Sequence, residues 1–175
     1  MNKITIILSL MVVSLMGLVC VSANAGDVAV NWQAPDNFTD IDPAEQPKDK
    51  FEANLFKNFD AIFAGLASKL PDNYHWEVTV TDLDLAGMVK PSARNAGRAM
   101  RVVNPIDRPA ISFEYKLMDD QNKLVKEAKV DLKDPNFMSR SRVIVGVRTK
   151  EFPYEEYMIN RWFEEQQNQK VLPTK

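Results

Sequence analysis

The stretch that most constrains this chain is Tyr74 to Gly87, YHWEVTVTDLDLAG. Tyr74, Trp76, Val78 and Val80 alternate with His75, Glu77, Thr79 and Thr81. A period of two, built from aromatic and β-branched residues, predicts a strand with one buried face. The phase then breaks, because the next apolar residues, Leu83 and Leu85, fall on odd numbers. An unbroken strand would carry this second apolar pair to the wet face. The chain must therefore bulge near Thr81–Asp82, or stop there and turn.

The neighbouring segments supply partners for that strand. Val28, Val30 and Trp32 share one side of a first strand over Asp27 to Trp32, ended by Pro35. Phe51, Leu55, Phe59, Ile62, Phe63, Leu66 and Leu70 recur at three- and four-residue steps, which predicts a helix over Lys48 to Leu70. Strand, helix, strand in that order predicts a crossover joining two parallel strands. Met88 to Arg98 has Pro, Gly and basic residues without periodicity and reads as a mobile basic loop, followed by a short strand over Ala99 to Val103.

Ile111, Phe113, Tyr115 and Leu117 alternate with polar residues, and Asp119 to Asn122 reads as a hairpin turn into a returning strand, Leu124 to Leu132. Arg142 to Arg148 is β-like but interrupted by Gly146, an edge strand or an extended loop. A last helix over Pro153 to Gln167 carries Tyr154, Met158 and Trp162 on one stripe with Ile159 and Phe163 beside it. Pro153 suits its first position, and Glu155 and Glu156 sit where the helix dipole favours acids. Each strand keeps one polar face, so one side of the sheet stays wet and the two helices roof the other. The expected fold is an α/β (α+β) two-layer sandwich, with a mixed, mostly antiparallel sheet of about five strands and two helices on one face.

The first 25 residues stand apart. Lys3 gives a positive start, Ile4 to Val21 is an apolar run, and Ala23-Asn24-Ala25 offers the small residues of a cleavage site. This reads as a secretory signal peptide cut after Ala25, leaving 26–175 as one domain in the periplasm with no membrane span. The competing reading, a retained anchor, lacks a charged stop-transfer flank. Cys20, the only cysteine, lies inside the leader without the small residue before it that lipidation needs, so the remaining chain has no thiol and no disulfide. The net charge of −2 becomes −3 when Lys3 leaves with the leader. That balance gives no reason to expect nucleic acid or an anionic membrane as the main partner.

Several stretches together resemble the bacterial domain of unknown function 3016 family. They are Phe38-Thr39-Asp40, Leu66 to Pro71, Val80 to Gly87, Ile111 to Leu117, Asp131 to Asp134, and Tyr154-Glu155 followed by Met158, Trp162 and Phe163. The TDLDLAG run and the terminal helix are the specific parts. The resemblance implies an exported protein of unassigned activity, and no reaction.

Asp82 and Asp84 form an Asp-x-Asp pair that can hold a hard cation, but no ligand loop of matching spacing follows. Capping the turn after the bulge through backbone N–H groups accounts for them without a metal. His75 is the only histidine and faces the polar side of its strand, with no Gly-x-Ser-x-Gly elbow or cysteine to serve it. No phosphate-cradling glycine loop is present, so no nucleotide cofactor is expected. Lys90, Arg94, Arg98 and Arg101 join Asp82 and Asp84 as the candidate binding residues. Arginines here could receive the carboxylate or phosphate of an anionic ligand or envelope partner. Their bland alternative is a solvated loop that protects a sheet edge. The expected function is a non-enzymatic ligand- or partner-binding domain of the cell envelope, contacting its partner through the basic loop or the open sheet face. The alternative is a hydrolase whose carboxylates Asp82, Asp84 and Glu155 converge in a pocket, and a third class, an assembly protein, predicts self-association.

Overall fold

In a computed structural model, which describes residues 25–93, 96–140 and 151–175, the bulge is where the phase break places it. The strands are β1 (Asp27–Trp32), β2 (His75–Asp84), β3 (Met88–Pro91), β4 (Ala99–Val102), β5 (Ala110–Met118) and β6 (Leu124–Lys133). The helices are α1 (Lys48–Ala67) and α2 (Pro153–Asn168). Pairing of β2 with β5 runs Val80↔Phe113 and then Asp82↔Ser112, leaving Thr81 as the extra residue. The consequence is the expected one: Trp76, Val78 and Val80 before the bulge and Leu83 and Leu85 after it are all buried. One inserted residue thus keeps both apolar sets on the dry face.

The main sheet has the order β1-β2-β5-β6, with β1 parallel to β2 and the other pairs antiparallel. Together with the two helices this is an α+β fold arranged as a sandwich. Phe51, Leu55, Phe59, Phe63 and Leu66 of α1 are buried, and so are Met158, Ile159, Trp162 and Phe163 of α2. The two helices and the sheet meet in an aromatic cluster. Trp162 stacks on Trp76 at 6.4 Å and stands edge-on to Phe113 at 5.1 Å, while Phe63 meets both Trp76 and Phe113. On the other side of the sheet Glu77, Glu114, Lys116, Glu127 and Lys129 are exposed, and Lys129 pairs with Glu114 at 2.6 Å.

Two expectations need correction. Helix α1 ends at Ala67 rather than Leu70, because the next residues close shorter turns, Lys69 N–H to Leu66 O and Leu70 N–H to Ala67 O. Met88 to Arg98 is also not all loop: Met88–Pro91 pairs antiparallel with Ala99–Val102 as a two-stranded ribbon apart from the main sheet. Four-residue strands show too little alternation to be seen in sequence, and their pairing comes from the facing strand. Residues 1–24, which hold most of the expected signal peptide, Arg94 and the Arg142–Arg148 segment lie outside the described residues. No helix among the described residues is long and apolar enough to cross a membrane.

Candidate functional site

The bulge decides what gathers at the lower end of β2. By turning Leu83 and Leu85 inward it leaves Asp82 and Asp84 on the opposite side of the strand, toward the incoming segment Phe38-Thr39-Asp40. That segment returns to the β2 edge beyond the end of β1, with Asp40 N–H donating to Leu83 O and Leu85 N–H to Asp40 O. Asp82 clamps it there. Its carboxylate accepts from the Thr39 N–H and hydroxyl, both at 2.7 Å, and from the Leu83 N–H at 2.9 Å. This is a structural duty, and it consumes most of the acceptor capacity that a cation would need.

Arg101 is drawn into the same junction. Its position on β4, opposite Val89 of β3, sends the guanidinium back toward the main sheet. The fork donates to both Asp40 oxygens, at 2.8 and 2.9 Å, and to the carbonyls of Gly87 and Asp42 at 3.0 and 3.2 Å. Burial would raise the Asp40 carboxyl, but the Arg101 hydrogen bonds, the Asp42 N–H and the guanidinium charge outweigh it and hold Asp40 below the usual aspartate range. Asp84 goes the other way. Burial and the nearby Asp40 charge push its carboxyl up, with Lys133 opposing.

Gly87 makes the approach of the ribbon possible. Its φ is +85°, and a Cβ there would lie 2.5 Å from the Val102 carbonyl oxygen. Only glycine fits both the backbone angle and the contact.

The third segment is the start of α2. Glu155 is 2% exposed, and its carboxylate accepts the Ala86 N–H at 2.7 Å. Burial pushes this carboxyl above the ordinary glutamate range, against the pull of the Ala86 N–H, its own N–H and the Arg101 charge. Glu155 and Arg101 sit at the base of a cleft of about 610 Å³. Phe51, Leu85, Val103 and Phe152 supply apolar wall, while Asp42 and Glu45 stand on one side. A buried carboxyl that keeps its proton can donate a hydrogen bond to a ligand, and one that loses it can accept.

The sequence-derived candidates therefore separate. Arg101 is brought into the cleft but is bound by Asp40; Asp82 and Asp84 do not line it; Lys90 and Arg98 are exposed on the ribbon and its turn. Sequence reasoning missed Asp40 as the partner of Arg101 and missed the burial of Glu155. The available signal was spacing: Glu155, Ile159 and Trp162 fall on one helix face. Among the described residues, no group of three or more His, Cys, Asp or Glu side chains is placed to hold a metal.

Comparison with known proteins adds a family. No curated protein and no solved structure matches the chain. The three segments that meet at the cleft base, Phe38 to Asp40, the TDLDLAG run and the Tyr154-Glu155 helix start, all lie within residues 26–165, the span matched by the family described as protein of unknown function, DUF3016. By that match, which covers most of its length, the chain belongs to the DUF3016 family.

Proposed function

We propose that this is an exported, non-enzymatic binding domain of the cell envelope, periplasmic once residues 1–25 are removed, whose small ligand enters the cleft over Glu155. One observation carries the reading: a largely apolar recess of about 610 Å³ with a few polar groups converging at its base. That is the form of sites which bury most of a small molecule and orient it by a handful of hydrogen bonds. The hydrolase alternative drew on Asp82, Asp84 and Glu155, and of these only Glu155 lines the cleft. Asp82 is committed to Thr39, so two of the three carboxylates which that reading names lie outside the cleft.

The test is a nitrogen-15 amide spectrum of the labelled protein titrated with the low-mass fraction of an envelope extract. Shifts should concentrate at Ala86, Phe152 and Glu155. Shifts confined to Glu77, Glu114 and Lys129 on the open sheet face, or no shifts, would remove the cleft as the binding site.

A further inference from the structure

The charge balance of the whole chain conceals a local segregation. Residues 88–108, the ribbon and the loop after it, hold Lys90, Arg94, Arg98, Arg101 and Arg108 but a single acid, Asp107, in a chain whose net charge is −2. Arg101 is spent on Asp40, and Arg94 lies outside the described residues; Lys90, Arg98 and Arg108 are exposed. Asp107 is engaged by the Asn104 side chain.

The same stretch carries most of the exposed apolar surface. Six large hydrophobic residues are exposed among those described, and four of them, Met88, Met100, Val103 and Ile106, fall here. Ile106 is 83% exposed, the most of the six. The cross-strand pairs Met88↔Val102 and Lys90↔Met100 share one face of the ribbon, opposite the face from which Arg101 reaches the sheet. The loop bearing Ile106 is held against the base of β3 by the hydrogen bond from Gly87 N–H to Asp107 O at 2.9 Å, and Asn104 Oδ1 accepts the Ile106 N–H at 2.9 Å. The loop is thus pinned through Asp107 to Gly87, the residue before Met88, with the isoleucine side chain left outward.

We propose that this basic, aliphatic arm docks the protein on an anionic phospholipid surface, with Ile106 and Met88 entering the headgroup layer and Lys90, Arg98 and Arg108 meeting the lipid phosphates. Two features favour lipid over an acidic protein. The arm has no aromatic residue, whereas protein hot spots are rich in Trp and Tyr. Its exposed apolar groups are flexible aliphatic side chains among cations, the composition that binds by shallow insertion plus charge. The docking residues Met88, Lys90, Arg98, Ile106 and Arg108 do not line the cleft, so either site can fail without the other.

The experiment is co-sedimentation of the purified protein with phosphatidylethanolamine vesicles containing phosphatidylglycerol, and with phosphatidylcholine vesicles. Wild type and variants are prepared identically, so that any contribution of residues 1–25 is common to all. Binding should require phosphatidylglycerol and weaken as salt is raised. The double variant Lys90→Glu/Arg98→Glu should lower partitioning by about tenfold or more. Ile106→Asp should lower it severalfold, and neither change should move the melting temperature, since all three side chains are exposed. Equal binding to both vesicle types, indifference to either substitution, or stronger capture by soluble polyglutamate than by the vesicles would overturn the proposal.

Discussion

Trp162→Ala should cost about 3–5 kcal/mol of folding stability. The indole is 9% exposed and is the piece of α2 that reaches the middle of the sheet. It stacks nearly parallel on Trp76, with 16° between the planes, and meets Phe113 and Tyr115 edge-on. Truncation removes its own transfer free energy and leaves a cavity ringed by rigid aromatics that cannot collapse to fill it. Urea denaturation should show a lower midpoint with unchanged slope, and the melting temperature should fall by roughly 10 °C or more. A loss below about 1 kcal/mol, the range of ordinary surface changes, would mean that α2 is not the roof of the sheet.

Arg101→Leu should cost about 2–3 kcal/mol, for a different reason. The substitution keeps apolar contact but leaves the Asp40 carboxylate without its fork and the Gly87 and Asp42 carbonyls without that donor. Both charged side chains retain some solvent contact, which places the expected loss below that of a fully buried pair. Arg101→Lys should recover only part, since an ammonium cannot supply two parallel donors to one carboxylate. Adding Asp40→Leu to Arg101→Leu should recover some stability by removing the unpaired charge. Amide exchange at Gly87 and along the ribbon should speed up in the single variant. If Arg101→Leu were neutral in urea and in exchange, the ribbon would be held by something other than this pair.

Much of the dry face was legible because its signal is local. Alternation from Tyr74 to Val80, its inversion at Leu83, and the stripe from Phe51 to Leu66 each reflect a single element facing one core. The ribbon was not legible, since four residues at Met88–Pro91 carry no period and acquire their structure from Ala99–Val102. The site was hidden for a related reason. Asp40 and Arg101 are 61 residues apart, and only the return of the Phe38–Asp40 segment to β2 makes them partners. Glu155 is the instructive failure. A glutamate in the first turn of a helix is well explained by the dipole, and that sufficient local reason masked its place on the buried stripe. Lys90 and Arg98 are exposed, whereas Arg101, with the same charge in the same segment, turns inward to Asp40.

The placement of Glu155, shut between the start of α2 and Ala86 at the cleft base, is the point on which the site depends. Its carboxyl is raised in the folded state, so the proton is bound more tightly folded than unfolded. The corresponding stability is full below the unfolded pKa and is lost as pH rises through the folded one. Urea stability of the wild type and of Glu155→Gln, measured side by side from acid to neutral pH, tests this directly. The expected result is a wild type that loses ground to the variant steadily as pH rises above the ordinary glutamate range. A difference between the two that does not change with pH would place Glu155 in solvent and contradict the cleft.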